Sequence, residues 1–224
     1  MRSAVETKQT LYQKYGKGIL GRVLALVGLI CLSWLYLLIA LAIVIDDPGP
    51  VLFRQKRVGK KKNGEVTYFD LLKFRSMKMC TPHDVPTHQL ENPEQYITRV
   101  GKFLRKTSLD ELPQLWNIAI THDLCIIGPR PALWNQYDLI AERDKYGAND
   151  VMPGLTGWAQ INGRDELEIP VKAKLDGEYV EKMSLAFDVK CFLGTIVSVL
   201  KSDGVVEGGT GELHKKETAA KEKQ

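Results

Sequence analysis

Two adjacent carboxylates, Asp110 and Glu111, open an apolar helical pattern that reads SLDELPQLWNIA. Ser108 stands three residues before Glu111, a spacing that predicts a capping box with both acidic side chains in the first turn. The positive end of a helix favours an ionised carboxylate and a nearby phosphate. Such a carboxylate can attack phosphorus, and a carboxylate pair can hold Mg²⁺ against phosphate oxygens. The pair therefore indicates phosphoryl chemistry, although acidic residues in a first turn are also common for helix stability alone.

Basic side chains are presented by other segments of the chain. The β-rich stretch Val66–Met77 predicts a strand whose alternation places Lys73 and Arg75 on one face, as a clamp on an anion requires. Two short turns, GPRP and the NGR that ends a glycine-rich loop, each present one arginine. Each signal alone also fits a solvated strand end or a plain turn, but together they predict a phosphate-bearing substrate. The candidate phosphate-binding residues are Lys73, Arg75, Arg105, Arg130 and Arg164.

Residues 23–45 form an apolar segment without a single charge. As a helix this segment would be roughly 34 Å long, enough to cross a hydrocarbon core of about 30 Å. Apolar residues surround the whole helix, which favours a membrane segment over a buried core helix or a cleaved signal peptide. Basic residues flank both ends, whereas the positive-inside rule expects an asymmetry. The segment therefore either spans against its charge bias or enters and returns, with a bend near Ser33 and Gly28.

The charge and cysteine content exclude several classes of protein. Thirty-one Lys+Arg and 27 Asp+Glu give a formal net charge of +4, too small to indicate nucleic-acid binding. The four cysteines are far apart and form no Cys/His cluster, so the sequence indicates neither a zinc site nor a disulfide framework and predicts free thiols. The basic run from Arg54 to Lys62 also fits a patch that holds anionic lipid headgroups.

Composition divides the chain into four regions: a basic N-terminal segment (1–22), the membrane helix (23–45), a globular body (46–206) and a flexible tail (207–224). Helical spacing within the body predicts helices over 97–106, 108–119, 135–146, 170–182 and 185–200. There is no internal repeat and no regular alternation of strands and helices, which argues against a doubly wound sheet. The expected fold class is α/β of the α+β kind, mostly helical with a small sheet.

Five strings occur in order behind the apolar segment: DPGPVLFRQKRVG, FDLLKFRSM, RVGKFLRKTSLDELPQLWNI, IIGPRP and PGLTGWAQINGR. In this combination the chain strongly resembles the bacterial sugar transferase family, the monotopic phosphoglycosyl transferases that begin glycan assembly on a polyprenol phosphate carrier. The resemblance runs from about Lys17 to Val206, and KTSLDELPQLWN is a highly specific string. The chain is similar to the short type of this family, which consists of the catalytic core.

The resemblance implies a two-step transfer. Asp110 would attack the sugar-bearing phosphate of a UDP-sugar, release UMP and carry the phosphosugar covalently until undecaprenyl phosphate takes it. The resemblance also implies Mg²⁺ at Asp110, with Glu111 as a second metal ligand or as the group that deprotonates the acceptor phosphate. The basic residues would hold the phosphates, the diphosphate or the nucleotide: Arg105, Lys73, Arg75, Arg130 and Arg164.

The resemblance further implies a re-entrant helix with both ends in the cytoplasm, a location at the bacterial inner membrane, and helices after Pro170 that rest on the membrane interface. The implied partners are the UDP-sugar donor, undecaprenyl phosphate, anionic lipids and downstream glycosyltransferases of a cell-surface glycan pathway, with a homodimer left open. The family usually carries Ser-Pro at the bend of the membrane helix. This chain has Ser33-Trp34 there, so a proline-driven kink is absent.

Two other functions stay open on the residues alone. The same acidic pair and cations would suit a membrane-bound phosphodiesterase or pyrophosphatase acting on nucleotide-sugar or lipid-linked substrates. A membrane anchor or assembly partner without enzymatic activity is the second alternative. The sequence does not distinguish which sugar would be transferred.

Overall fold

The computed structural model describes residues 10–81, 93–163 and 167–201. The α-helices within these residues are α1 Lys17–Cys31, α2 Ser33–Asp46, α3 Arg99–Lys106, α4 Gln114–Trp116, α5 Tyr137–Asp144, α6 Trp158–Ile161, α7 Ile169–Lys182 and α8 Leu185–Lys201. The strands are β1 Leu52–Val58, β2 Tyr68–Phe74, β3 Cys125–Ile127 and β4 Gly154–Thr156. β1 pairs with β2 antiparallel, and β3 pairs with β4 parallel. The expected mixed fold, mostly helical with little sheet, is confirmed.

The apolar segment is bent. Within the described ranges no single helix is long and apolar enough to cross a bilayer, but the helical stretch Tyr12–Cys31 and α2 meet that condition together, bent by 62°. The break lies at Leu32, directly before Ser33, and the Leu32 amide donates to the Gly28 carbonyl at 2.9 Å. α2 ends at Asp46, and the next residue, Asp47, has an extended backbone because a residue before proline avoids the helical region.

Both halves of the bent helix pack against the body. Ala25 of α1 is buried in a cluster with Leu71 of β2 and Ile118. Ile39 and Ile43 of α2 are buried in a second cluster with two residues of β2 and α3, Phe74 and Leu104. The opposite faces expose large apolar side chains, among them Ile19, Val23, Leu24, Val27, Ile30, Trp34, Leu37, Leu38, Leu41 and Ile45. The segment is therefore apolar on both sides, one covered by the body and one uncovered.

The two ends of the bent pair bind the same body. At its beginning, Lys17 forms an ion pair with Asp188 of α8. At its end, the Asp47 carboxylate accepts from the Arg75 guanidinium and from the Met79 amide, the latter at 3.1 Å. Asp46 accepts from the Val100 amide at 2.8 Å and so satisfies a backbone donor in the first turn of α3. Both ends of the bent pair are consequently held to the body by polar contacts.

The prediction of one regular helix over 108–119 is wrong. This segment divides into a 3₁₀ turn at Leu109–Glu111, α4, and a π turn at Asn117–Thr121. Ser108 has a φ of 56° and makes no side-chain cap, so the predicted capping box is absent. The Ser108 amide instead donates to the Arg105 carbonyl at 3.1 Å. Ser108 takes the left-handed conformation that ends α3, which is incompatible with the extended backbone of an N-cap.

Candidate active site

A carboxylate held by two cations forms the centre of the site. The Lys73 ammonium lies 3.1 Å from Glu111 Oε1, and Arg130 contacts both Glu111 oxygens, with Nη1 3.3 Å from Oε2. Arg130 Nη1 also donates to the Leu155 carbonyl at 2.9 Å. Burial opposes ionisation of Glu111, but Arg130 and Lys73 outweigh it and hold its pKa below the usual range. Glu111 is therefore an ionised anchor that orients two cations from distant segments.

Asp110, the neighbour of Glu111, has a different environment. Its side chain is buried, with 8% of the residue exposed. Burial raises its pKa above the ordinary value, while Lys73, Arg105 and Arg130 act in the opposite direction and the Glu111 charge adds to the rise. No residue in the described part of the chain donates a hydrogen bond to the Asp110 carboxylate. Asp110 is therefore a carboxylate of raised pKa that lies near three cations and accepts a hydrogen bond from none of the described residues.

Arg105 reaches this site from the last turn of α3. Its Nε donates to Ser76 Oγ at 2.9 Å, and its charge lowers the pKa of Asp110. Because α3 ends at Lys106 and the left-handed Ser108 reverses the chain at once, Arg105 and Asp110 lie on the same side of the turn. The structure thus brings Lys73, Arg105 and Arg130 to the acidic pair, as the sequence predicted.

Arg75 does not join this cluster. It is buried and binds the carboxylate and the carbonyl of Asp47, while its amide donates to the Val51 carbonyl at 2.8 Å. β2 ends at Phe74, so the alternation that placed Lys73 and Arg75 on one face stops between them. The predicted clamp is therefore wrong for Arg75, whose observed partner, Asp47, directly follows α2. Arg164 lies outside the described residues.

Two residues that position the site, Asn117 and Tyr36, were not predicted from the sequence. The Asn117 side chain accepts from the Leu72 amide at 2.9 Å and donates to the Asp70 carbonyl at 2.9 Å, which ties the segment after the acidic pair to β2. The Tyr36 hydroxyl of α2 donates to the Leu112 carbonyl at 2.5 Å. A polar residue inside an apolar helical pattern was the available signal for both.

The donor set suits a divalent ion only in part. Among the described residues no group of three or more His, Cys, Asp or Glu side chains forms a metal cage. Mg²⁺ does not need such a cage, because it is usually bound by one or two carboxylates together with substrate phosphates and water. The Asp110 carboxylate is available for this role, whereas both Glu111 oxygens contact cations. A phosphate-bearing substrate would supply the remaining ligands.

Comparison with known sequences decides the family. Residues 12–202 match the profile of the family described as "Bacterial sugar transferase". The chain belongs to the bacterial sugar transferase family. The described helices, both small sheets and the Glu111 centre lie within the matched range, and the resemblance inferred from the motifs is confirmed.

Several members of the bacterial sugar transferase family are similar to this chain over most of its length. The UDP-glucose:undecaprenyl-phosphate glucose-1-phosphate transferase of Escherichia coli (strain K12) is 41% identical over 182 residues, which cover 78% of this chain and 38% of that protein. The uncharacterized sugar transferase EpsL of Bacillus subtilis (strain 168) is 37% identical over 81% of this chain and 86% of its own. The UDP-galactose-lipid carrier transferase of Erwinia amylovora is 34% identical over 85% and 42%. The chain thus spans about two fifths of the first and third relatives.

Proposed function

We propose that this chain transfers a sugar 1-phosphate from a UDP-sugar to undecaprenyl phosphate and so begins the assembly of a cell-surface glycan. The family membership supports the reaction class, since relatives are named for transfer to undecaprenyl phosphate or to a lipid carrier. The relatives' names include both glucose and galactose, and the sugar used by this chain is therefore not part of the proposal. The observation that carries the proposal is the buried Asp110 carboxylate, which faces three cations without a hydrogen bond from any described residue.

Asp110 is the proposed nucleophile because its environment differs from that of Glu111. Burial raises the pKa of Asp110, and a more basic carboxylate is a better nucleophile once ionised. The Glu111 oxygens are engaged by Arg130 and Lys73, which lowers both their basicity and their freedom to attack. The two adjacent carboxylates therefore have different roles in this proposal: Asp110 reacts with the substrate, and Glu111 positions Lys73 and Arg130.

In the first proposed step, an Asp110 oxygen forms a bond to the phosphorus that bears the sugar, and the phosphoanhydride bond to UMP breaks. The electron pair of that bond leaves with UMP, whose developing charge Arg130 and Lys73 stabilise. In the second step, a phosphate oxygen of undecaprenyl phosphate attacks the same phosphorus. The aspartyl bond breaks, the Asp110 carboxylate is regenerated, and the product is a diphosphate-linked sugar.

Mg²⁺ is proposed as the cofactor, held by Asp110 and Glu111 together with phosphate oxygens of the donor. When bound, it would neutralise phosphate charge during the displacement. Donor phosphates compete with Glu111 for Lys73 and Arg130, and this competition would free a Glu111 oxygen for the metal. Glu111 therefore changes partner on substrate binding in this proposal, whereas Asp110 needs no such exchange.

We also propose that residues 23–45 form a re-entrant helix and that the body at 46–206 lies on the cytoplasmic face of the inner membrane. The 62° bend at Leu32 supports re-entry, and so do the ion pairs that hold both ends of the helix pair to one body. Apolar side chains on the uncovered faces of α1, α2 and α8 supply the surface that a bilayer would cover.

Trapping the covalent intermediate tests the proposed function. Full-length protein in detergent is incubated with Mg²⁺ and a panel of UDP-sugars, without acceptor. We expect about one UMP per enzyme molecule with one of the sugars, and a phosphosugar mass adduct on the peptide that contains Asp110. The Asp110→Asn variant should give neither, while Asp70→Asn, which changes an exposed aspartate of β2, should give both. Repeated turnover to free sugar phosphate without acceptor would instead establish the phosphodiesterase alternative.

Cysteine labelling tests the membrane placement. In a background in which the exposed Cys31 and Cys80 are replaced by serine, single cysteines are introduced at Lys14 or at Lys60. A membrane-impermeant maleimide should label both positions in inverted vesicles and neither in intact spheroplasts. Labelling of the two positions from opposite sides would show a spanning helix and overturn the re-entrant topology.

A further inference from the structure

A cavity that does not include the acidic pair opens at the end of the apolar segment. It has a volume of about 1000 Å³ and lies between the last turn of α2, the first turn of α3 and the segments around Lys78 and Gln95. One wall is apolar and is formed by Ala42, Ile45, Ile97 and Val100. The cavity therefore begins where the uncovered apolar face of α2 ends.

Three cations line the cavity: Lys78, Arg99 and Lys102. All three are exposed, and no residue of the described ranges forms a hydrogen bond or an ion pair with their side chains. Other basic residues near the bent helix differ in this respect, since Lys17 binds Asp188 and Arg75 binds Asp47. The cavity thus brings together three positive charges with which no side chain of the described ranges pairs.

The carboxylates of the cavity wall do not cancel this charge. Asp46 accepts from the Val100 amide, and Asp47 is paired with Arg75. Glu94 is the third acidic residue among those that line the cavity. With Asp47 neutralised by Arg75, two carboxylates face three cations, and one of the two is occupied by the α3 backbone. The remaining balance favours an anion at the cationic wall.

We propose that this cavity binds the phosphodiester headgroup of an anionic bilayer phospholipid, whose acyl chains lie along the uncovered face of α2. The proposal rests on the membrane placement given under the proposed function. The combination of an apolar wall and unpaired cations at one depth matches an anionic amphiphile, and basic residues next to a membrane helix attract anionic headgroups. Phe103, which follows Lys102 in α3 and is 59% exposed, adds an apolar side chain next to the cavity lining.

The cavity is distinct from the acidic pair. Arg99 begins α3 and Arg105, whose charge acts on Asp110, is in its last turn, six residues or roughly 9 Å further along the axis at 1.5 Å per residue. Arg99 and Lys102 line the cavity, whereas Arg105, Asp110 and Glu111 do not. The proposed occupant is a resident lipid rather than the polyprenol acceptor.

The basic run on β1, which also fitted a lipid patch by sequence, is less suited to this role. Lys61 pairs with Asp144 at 2.7 Å, and Arg57 donates to the Pro131 carbonyl at 3.0 Å. Lys56 lies over the rings of Tyr68 and Trp134, at 5.0 and 5.8 Å from their centroids. Much of that run is engaged by the body, and two of its exposed members just after β1, Lys60 and Lys62, provide a matched control.

Lipid titration of the detergent-solubilised full-length protein tests the site. Dioctanoyl phosphatidylglycerol and dioctanoyl phosphatidylcholine are added in parallel, and bound lipid is counted by native mass spectrometry. We expect preferential binding of phosphatidylglycerol. In the triple variant Lys78→Gln, Arg99→Gln, Lys102→Gln its affinity should fall by roughly 100-fold, about fivefold for each charge removed. The double variant Lys60→Gln, Lys62→Gln should bind as the parent protein does.

Each other outcome overturns the proposal in a recognisable way. Equal affinity in the triple variant and the parent would show that the cavity is not the site, and loss in the double variant would assign the lipid to β1. Undecaprenyl phosphate that binds in place of phosphatidylglycerol, lost in the triple variant, would make the cavity an acceptor site. UMP release measured on the same samples separates this test from that of the proposed function, because we expect the triple variant to release UMP normally in detergent.

Discussion

Two ion-pair centres in this molecule use similar groups and differ in what they leave unsatisfied. At Asp188, the carboxylate accepts from the hydroxyls of Tyr12 and Tyr179, each at 2.6 Å, and from Lys17. One cation meets one anion there, with side chains only 11% and 7% exposed for Lys17 and Asp188. At Glu111, two cations share one carboxylate, and the side chains of Arg130 and Glu111 are each 22% exposed.

The difference lies in enclosure and in what each carboxylate contacts. Around Asp188 one cation and two hydroxyls bind one carboxylate, and the network joins the start of the bent helix to α7 and α8. Around Glu111 the charges of Lys73, Arg105 and Arg130 act on two carboxylates, and no described residue donates a hydrogen bond to Asp110. An enclosed, fully bonded centre stabilises the fold, whereas a partly open centre with an unbonded carboxylate can react with a ligand. The following predictions test this division.

The largest effect is expected from Asp110→Asn, which removes the proposed nucleophile and keeps the shape of the side chain. UMP release should fall by a factor of roughly 10⁴ or more, as for the loss of other enzymatic nucleophiles. The circular dichroism spectrum and the midpoint of thermal unfolding in detergent should stay near those of the parent. An active Asp110→Asn protein would remove the distinction between the two centres.

Asp188→Asn should act on stability. The substitution leaves Lys17 charged and buried without its partner, and breaking a buried pair in this way costs about 3–5 kcal/mol. The thermal midpoint should fall by roughly 10 °C, while UMP release per folded molecule stays close to that of the parent. The double variant Lys17→Met, Asp188→Asn should recover part of the loss, because no uncompensated charge remains. A specific loss of activity at unchanged stability would assign this centre to catalysis.

Arg130→Ala should act mainly on the reaction. It removes the guanidinium that faces the leaving UMP, and the loss of one such stabilising group lowers turnover by a factor of about 10² to 10³. Arg143→Ala, in contrast, breaks the buried pair with Asp176, with donor and acceptor 2.6 Å apart, and should lower stability instead. Steady-state UMP release and thermal unfolding, measured on both variants, distinguish the two effects.

The raised pKa of Asp110 predicts an acid limit to the reaction. UMP release should fall about tenfold for each pH unit below that pKa, since the protonated carboxyl cannot attack phosphorus. Arg105→Ala should move this limit to higher pH, because the Arg105 charge lowers the pKa of Asp110. The effect of pH on stability runs in the opposite direction from its effect on activity. The folded protein holds the Asp110 proton more tightly than the unfolded chain does, so Asp110 stabilises the folded state at low pH. This stabilisation is lost as the pH rises through the folded pKa. A pH profile unchanged in Arg105→Ala would contradict this electrostatic account.

The smallest effect concerns Ser108. Because its side chain caps no helix, Ser108→Ala should change stability by less than about 0.5 kcal/mol, as is usual for surface substitutions. Ser108→Gly should be neutral or slightly stabilising, since its φ of 56° suits glycine. Destabilisation of about 1 kcal/mol in Ser108→Ala, measured by thermal unfolding, would support the capping box predicted from the sequence.

Local patterns predicted the helices well. α7 and α8 begin and end within one residue of the bounds expected from spacing, and α3 begins two residues late. The prediction of a regular helix after Ser108 is wrong. Pro113 has no amide donor, and Ser108 takes the left-handed conformation that ends α3 instead of capping a new helix. β1 was not predicted at all, since its alternation of exposed and half-buried positions is carried by charged residues rather than by apolar ones.

The amino-acid sequence by itself determined the family, the apolar segment, the acidic pair and the set of arginines and lysines that accompany it. These features reside in residue types and short spacings, which do not depend on how distant segments meet. Only the tertiary structure decided that Lys73 and Arg130 bind Glu111, that Arg75 binds Asp47 instead, and that the apolar helix breaks at Leu32. The physical reason is that electrostatic partners are set by distance in space. Because β2 ends at Phe74, between Lys73 and Arg75, these two cations contact different carboxylates.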